Sequence, residues 1–178
     1  MIPMRIDPSG RPMMSDADID AIEDIIQTLK PATVLEWGSG NSTSFFSKAE
    51  CVRRWVAVEH NGNYVRHLSA HVDPEKVTLI WAPEDEWYVD CVKLNVGQFD
   101  LILVDGIDAK RGDCLEAAFD LLRPGGIVLL HDSSRREYAP FIAKYADRRK
   151  LTEGEVPQGD GFFAHRGLTA FYSRRPSA

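Results

Sequence analysis

The chain lacks long apolar segments, because its longest apolar runs are only as long as single β-strands. This pattern predicts no transmembrane helix. Positive charge is also scarce, with 21 Lys and Arg against 27 Asp and Glu and a formal net charge of −6. An acidic chain is not expected to have nucleic acid or an anionic membrane as its main partner, although a local basic site stays compatible with this composition.

Cysteine is scarce as well. The three cysteines, Cys51, Cys91 and Cys114, are widely spaced and odd in number, so they match neither a disulfide framework nor a zinc-binding pattern. The first residues lack the basic and apolar regions of a secretory signal. These features predict a cytoplasmic protein with reduced thiols. At 178 residues we expect an irregular arm at 1–14, rich in proline, followed by a single domain at 15–178.

The segment from Val34 to Thr43 is typical of a strand, a tight turn and the start of a helix. The turn contains Gly38 and Gly40, and glycine lets a backbone adopt positive φ and approach a ligand closely. Free N–H groups at the start of the next helix would favour an electron-rich ligand group. Thr43 stands where a dinucleotide-binding motif has its third glycine, which disfavours NAD. A tight turn without a ligand is the alternative interpretation.

Apolar strand-like runs alternate with helical patterns along the chain, which predicts a parallel sheet with helices on both faces. The last two strands have no helix between them, so we expect an antiparallel pair at one edge of this doubly wound α/β fold. The predicted strands cover 33–35, 54–59, 77–81, 99–104, 127–130, 150–156 and 168–173, and the predicted helices begin at 15, 41, 61, 113 and 138.

Acidic residues follow most of these strands. Glu36, Glu59, Asp105 and Asp132 stand at strand ends, and the third strand leads into a loop with Glu84 and Asp85. In parallel α/β sheets, ligands bind outside the carboxyl ends of the strands, near the point where the strand order reverses. The sequence therefore predicts a polar binding site at this edge of the sheet.

Four segments in this order resemble the motifs of class I S-adenosylmethionine-dependent methyltransferases. They are Glu36-Trp-Gly-Ser-Gly40, Ala57-Val-Glu59, Phe99-Asp-Leu-Ile-Leu-Val-Asp105 and the run from Leu122 to Leu130. The resemblance covers about residues 16 to 174, and the Val-Asp-Gly and His-Asp endings are most similar to small O-methyltransferases, including catechol-type enzymes. It implies a Rossmann-like, mostly parallel sheet of seven strands and a methyl transfer to a small-molecule or sugar hydroxyl.

The resemblance also implies a set of residues that bind S-adenosylmethionine. Glu59 would accept hydrogen bonds from the ribose diol, and Glu36 would accept from the ammonium group, directly or through water. The turn of Gly38, Ser39, Gly40 and Asn41 would contact the methionine part. Glu84 or Asp85 would accept from the adenine amino group, with a solvated acidic loop as the alternative.

The candidates for removing the acceptor's proton are Asp105, His131 and Asp132, with Asp105 also beside the cofactor. A hydrogen-bonded structural role is the alternative for His131. Lys110, Arg111, Arg135 and Arg136 flank the same edge and would hold an acidic acceptor, unless they are ordinary surface charges.

In catechol-type enzymes, acids at the positions of Asp105 and Asp132 help to hold a divalent metal ion. Here Ser133 follows Asp132 where that family has an amide ligand, so a mechanism without metal is favoured. Two other classes stay open: a non-catalytic domain that binds S-adenosylmethionine, and a nucleotide-dependent enzyme on the same sheet. The sequence leaves the acceptor and the oligomeric state open, and a homo-oligomer is compatible with it.

Overall fold

A computed structural model describes residues 10–84, 87–94, 97–153 and 167–173. The centre of the fold is one seven-stranded sheet. In chain order its strands are β1 Thr33–Trp37, β2 Arg54–Glu59, β3 Val77–Trp81, β4 Phe99–Val104, β5 Leu122–His131, β6 Arg148–Lys150 and β7 Leu168–Tyr172.

The strands lie side by side in the order β3-β2-β1-β4-β5-β7-β6. Neighbours from β3 to β5 are parallel, whereas β7 is antiparallel to both β5 and β6. The predicted fold class is therefore confirmed: a doubly wound, mostly parallel sheet with an antiparallel pair at the end of the chain. The strand order reverses between β2 and β4, on the two sides of β1.

Six helices accompany the sheet in the described part of the chain: α1 Asp16–Leu29, α2 Asn41–Phe46, α3 Gly62–Leu68, α4 Trp87–Asp90, α5 Arg111–Leu121 and α6 Ala139–Ile142. The Ser15 hydroxyl caps α1 by accepting from the N–H of Asp18, as the sequence pattern predicts. The α1 helix ends at Leu29 and is capped by Lys30, which has a φ of 50° and stands just before Pro31. None of the described helices is long and apolar enough to cross a membrane.

Several predicted elements differ from the structure by one or two residues at their bounds, and two strands differ by more. The strand expected at 127–130 begins earlier, at Leu122, because the Pro124–Gly126 segment is taken into β5 as an irregularity in its pairing with β4. The strand expected at 150–156 is instead observed at Arg148–Lys150, so residues 151–153 lie beyond its end, and residues 154–156 lie outside the described part of the chain.

The side chains of β1 alternate between the two faces of the sheet. Leu35 and Trp37 face a core that includes residues of α4 and α5. Val34 faces the opposite core, which α1 and α2 cover with Ile22 and Phe46 among others. Glu36 lies on the same face of the sheet as Val34, and its side chain therefore lies on the side that α1 and α2 cover.

Candidate active site

A cavity of about 410 Å³ lies at the carboxyl ends of β1, β2 and β4, where the strand order reverses. The cavity is the place where a doubly wound sheet is expected to bind a ligand. Its walls include Met13, Met14, Gly38, Ser39, Gly40, Asn41, Glu59, His60, Asp105 and Arg111. Six of the predicted site residues are thus brought together: the four residues of the turn, Glu59 and Asp105.

Gly38 is fixed in its position by both neighbouring strands. Its N–H donates to the carbonyl of Val58 over 2.8 Å, and its φ is 96°. A Cβ atom at this position would collide with the backbone carbonyl of Asp105. Only glycine fits here, because both the backbone conformation and the close approach of β4 exclude a side chain.

The rest of the turn presents polar groups to the cavity. The Ser39 hydroxyl is buried and has no hydrogen-bond partner among the described residues. Gly40 donates its N–H to the Thr43 hydroxyl over 3.1 Å. The side-chain amide of Asn41 donates to the carbonyl of Arg11 over 2.8 Å and so attaches the N-terminal segment to the turn.

Glu59 ends β2 with its carboxylate at the cavity. One oxygen, Oε1, accepts from the N–H of Asn61 over 2.7 Å and lies 3.0 Å from Nδ1 of His60. The hydrogen bond with Glu59 raises the pKa of His60. The second oxygen of Glu59 accepts no hydrogen bond among the described residues, so it is available to a ligand.

Glu36 does not line the cavity, so the geometry does not support direct contact with the cofactor, and contact through water stays a prediction. It is fully buried, and its carboxylate accepts from the Ser42 hydroxyl (2.5 Å), the Thr43 hydroxyl (2.6 Å) and Nε1 of Trp55 (2.9 Å). Burial raises its pKa to about 7 despite these hydrogen bonds. Glu36 therefore connects β1, β2 and the first turn of α2. Its hydrogen bonds fix the helix start that directly follows the glycine turn.

The acidic loop after β3 is only partly described. Glu84 is exposed and does not line the cavity. Asp85 lies outside the described residues. A role for this loop in binding adenine therefore stays a prediction.

Asp105 follows β4 and reaches the cavity wall. Its Oδ1 atom lies 2.8 Å from Nδ1 of His131 and 2.9 Å from Nη2 of Arg111. Its Oδ2 atom accepts no hydrogen bond among the described residues. Asp105 is thus held on one oxygen by two basic side chains and offers the other.

His131 is buried between two carboxylates rather than exposed to an acceptor. Opposite Asp105, its Nε2 lies 3.4 Å from Oδ2 of Asp18. Burial alone would lower the pKa of His131, but the charge and hydrogen bond of Asp105 and the hydrogen bond of Asp18 raise it to about 10. The side chain is therefore an imidazolium at neutral pH, and this geometry favours the structural interpretation of His131 over a general base.

Asp18 is a member of this cluster that the sequence analysis did not identify. Its buried carboxylate also accepts from the hydroxyls of Ser15 and Thr152. Burial would raise the pKa of Asp18, but these bonds and that from His131 lower it to about 2. The signal in the sequence is the helical spacing, because Asp18 precedes Ile22 by four residues and so lies on the inward face of α1.

Asp132 follows β5 with a φ of 55° and does not line the cavity. Its Oδ2 atom accepts from Nη1 of Arg111 and from Nη2 of Arg135, each over 3.0 Å. Two arginines therefore occupy the carboxylate that was predicted as a candidate base.

Arg111 lines the cavity and is buried, and its role in holding an acidic acceptor stays a prediction. Each of its three nitrogens donates to a backbone carbonyl: Nε to Gly106 (2.9 Å), Nη1 to His131 (3.2 Å) and Nη2 to Asp105 (3.2 Å). Arg135 is also engaged, because it pairs with Asp108 and Asp132. Lys110 and Arg136 do not line the cavity.

A larger groove of about 770 Å³ lies between the C-terminal half of α1 and the first half of β5. Its walls include Ile25, Leu29 and Tyr172, and it contains none of the predicted site residues. The smaller cavity is the stronger candidate because it joins the turn, the acid of β2 and the acid of β4.

A family model described as a methyltransferase domain matches residues 35–133, more than half of the chain. The chain therefore belongs to this family of methyltransferase domains. It is also 29% identical over 127 residues to a Mycobacteroides abscessus protein named as an O-methyltransferase. That match covers 61% of this chain and 56% of the relative, so the chain corresponds to little more than half of the relative's length.

Solved structures agree with this assignment at the level of the fold. An O-methyltransferase from Bacillus cereus in complex with SAH superposes with a TM-score of 0.69 and 15% identity, covering 93% of this chain and 86% of that one. The O-methyltransferase TomG from Streptomyces achromogenes, solved with SAM, superposes with a TM-score of 0.66 and 16% identity, covering 93% of this chain and 83% of that one. Both superpositions show that this chain shares the fold of these two enzymes.

Proposed function

We propose that this chain is an S-adenosylmethionine-dependent methyltransferase that methylates a hydroxyl group of a small molecule. The observation that carries the proposal is the cavity itself. It brings the glycine turn after β1, the carboxylate of Glu59 and the carboxylate of Asp105 to one edge of a methyltransferase-type sheet. The complexes of structural relatives with SAH and SAM support the choice of cofactor.

The polar groups of the cavity fit this cofactor. The available oxygen of Glu59 would accept from the ribose hydroxyls, because a carboxylate accepts two neighbouring hydroxyl groups well. The buried hydroxyl of Ser39 lacks a partner among the described residues and would bond the amino-acid end of the cofactor. Gly38, Gly40 and Asn41 complete this wall.

When bound, the cofactor supplies a methyl group that is already activated as part of a sulfonium. The task left to the protein is to align the acceptor oxygen and to receive its proton. We assign this task to Oδ2 of Asp105, which is the available carboxylate oxygen beside the turn. His131 and Arg111 hold the opposite oxygen and so fix the direction of Oδ2.

His131 and Asp132 therefore act as positioning residues in this proposal. His131 is protonated at neutral pH, and Asp132 is bound by two arginines away from the cavity wall. An acidic acceptor loses support for the same reason, because the guanidinium groups of Arg111 and Arg135 are already engaged with carboxylates. We propose a neutral hydroxylated acceptor.

One observation favours a second function, which is binding of S-adenosylmethionine without catalysis. Each of the three candidate catalytic residues is a member of an ion-pair network, and only Asp105 also reaches the cavity. A domain of this kind would retain the cofactor site and lack turnover.

Release of S-adenosylhomocysteine over a panel of phenols, catechols and sugars would test the proposed function. We expect at least one hydroxylated acceptor to support turnover, and we expect Asp105→Asn to reduce turnover far more than cofactor affinity. Asp113→Asn, an exposed acid on α5, is the matched control and should behave as wild type. Tight cofactor binding with no turnover on any acceptor would favour the non-catalytic function instead.

A further inference from the structure

The guanidinium group of Arg111 lies between the two carboxylates that end β4 and β5. Nη2 is 2.9 Å from Oδ1 of Asp105, and Nη1 is 3.0 Å from Oδ2 of Asp132. These are the two acids at which the resemblance to catechol-type enzymes would put a divalent metal ion. In this chain a side-chain cation already joins them.

The backbone contacts of Arg111 show that this position is built into the fold. Its three nitrogens donate to carbonyls of Asp105, Gly106 and His131, which belong to the ends of both strands. Only 7% of the residue is exposed. A buried arginine with a hydrogen bond from every nitrogen is costly to displace, because its removal would leave buried carboxylates and carbonyls without their partner.

The carboxylates of the cluster already have cationic partners without an added ion. Asp18, Asp105 and Asp132 contact the cations of His131, Arg111 and Arg135, and the exposed Asp108 also pairs with both arginines. A divalent ion added here would bring two further positive charges next to a buried guanidinium, or it would require the guanidinium to leave. The residues present therefore do not fit a resident divalent ion between Asp105 and Asp132.

We infer that Arg111 occupies the place at which catechol-type enzymes hold a divalent metal ion. In this chain Arg111 serves as the fixed cation that positions Asp105 and Asp132. The meaning of this inference rests on the proposed function, in which Asp105 aligns the acceptor oxygen. Arg111 is a positioning residue, because it acts through Asp105 rather than on the acceptor. Methyl transfer is then independent of divalent metal.

Binding of Mn²⁺, followed by electron paramagnetic resonance at neutral pH, tests the inference without any need for an acceptor. Wild type should bind no Mn²⁺ below roughly 1 mM, because the Arg111 guanidinium already lies between the two carboxylates. Arg111→Gln should bind Mn²⁺ at least tenfold more tightly than wild type, and adding Asp132→Asn to that variant should remove the gain. Lys110→Gln removes a neighbouring positive charge and should leave Mn²⁺ binding at the wild-type level.

Two results would overturn the inference. The first is a submillimolar Mn²⁺ site in wild type that Asp132→Asn abolishes, because Arg111 would then give way to the metal. The second is an Arg111→Gln variant that is folded by circular dichroism but gains no Mn²⁺ site. If Arg111→Gln does not fold, the Mn²⁺ titration of wild type and Asp132→Asn still tests the inference. Absence of methyl transfer would refute the proposed function and leave these binding results unchanged.

Discussion

Nδ1 of His131 lies 2.8 Å from Oδ1 of Asp105, so a buried imidazolium holds the carboxylate that faces the candidate cofactor cavity. The same ring reaches Asp18 on α1 from its other nitrogen. This pairing connects the first helix to the ends of β4 and β5. Because Met13 and Met14 precede α1 and line the cavity, the ion pair also fixes one wall of the site.

The His131 cluster should make stability depend on alkaline pH. The pKa of His131 is about 10 in the folded chain, against 6.5 for an unperturbed histidine. Its contribution, on the order of 5 kcal/mol, is therefore complete below pH 6.5 and is lost as pH rises through 10, with roughly 3–4 kcal/mol of the loss between pH 7 and 10. Urea unfolding from pH 7 to 10 should show this loss in wild type and a much smaller one in His131→Gln. His71→Gln, at an exposed histidine, should follow wild type; equal slopes in all three proteins would contradict the assignment.

Glu36 should make the stability of the fold depend on pH between the acidic and the neutral range. Its pKa is raised by burial from 4.5 to about 7, so the folded state retains a proton that the unfolded state loses. Stability should consequently fall between pH 4.5 and 7, by about 2–3 kcal/mol.

The substitution Glu36→Gln tests this dependence on pH. Glutamine keeps a carbonyl oxygen for Thr43 and Trp55 and donates to the Ser42 hydroxyl. The variant should gain stability relative to wild type as pH rises from 5 to 8, measured by urea unfolding. Glu75→Gln, at an exposed acid, should show no such gain. A constant difference between Glu36→Gln and wild type across this range would show that Glu36 is already ionised.

Gly38 and Gly125 form a matched pair for testing the packing of the turn. Both have positive φ, 96° and 83°, but a Cβ atom would collide with Asp105 only at Gly38 and would meet nothing within 4 Å at Gly125. Gly125→Ala should cost about 1 kcal/mol of unfolding free energy, from backbone strain alone. Gly38→Ala should cost at least about 2 kcal/mol more. Equal losses would show that β4 does not restrict the turn.

Glu59 should contribute strongly to cofactor affinity and little to folding. A hydrogen bond between a carboxylate and a hydroxyl is worth roughly 1.5–3 kcal/mol, so Glu59→Gln should weaken S-adenosylmethionine binding by about tenfold or more. Isothermal titration calorimetry measures this change, with Glu75→Gln as the control that keeps wild-type affinity. Unchanged affinity in Glu59→Gln would remove Glu59 from the site.

Local patterns were sufficient to predict the order of the elements and the glycine turn. The alternation of strands and helices, the acids at strand ends and the glycines at 38 and 40 are all visible within short windows of sequence. The positions of Glu59 and Asp105 at one cavity follow from the same rule, because parallel strands end at the same edge of the sheet.

The roles of individual side chains needed contacts between distant segments. Glu36 was predicted to accept from the cofactor's ammonium group, directly or through water, yet its donors include Trp55 on β2, which no local pattern identifies. Arg111 begins α5 and bonds residues at the ends of β4 and β5, so its burial depends on the order of the strands. The alternation of side chains in β1 does place Glu36 on the face of Val34, and this was the signal that could have corrected its assignment.

Titration of the wild-type chain with S-adenosylmethionine, S-adenosylhomocysteine and NAD tests the central claim most directly. The account predicts one binding site per chain for each of the first two ligands, with calorimetric affinity in the micromolar range, and no saturable binding of NAD. Absence of heat from S-adenosylmethionine and S-adenosylhomocysteine, or saturable binding of NAD alone, would contradict the proposed function.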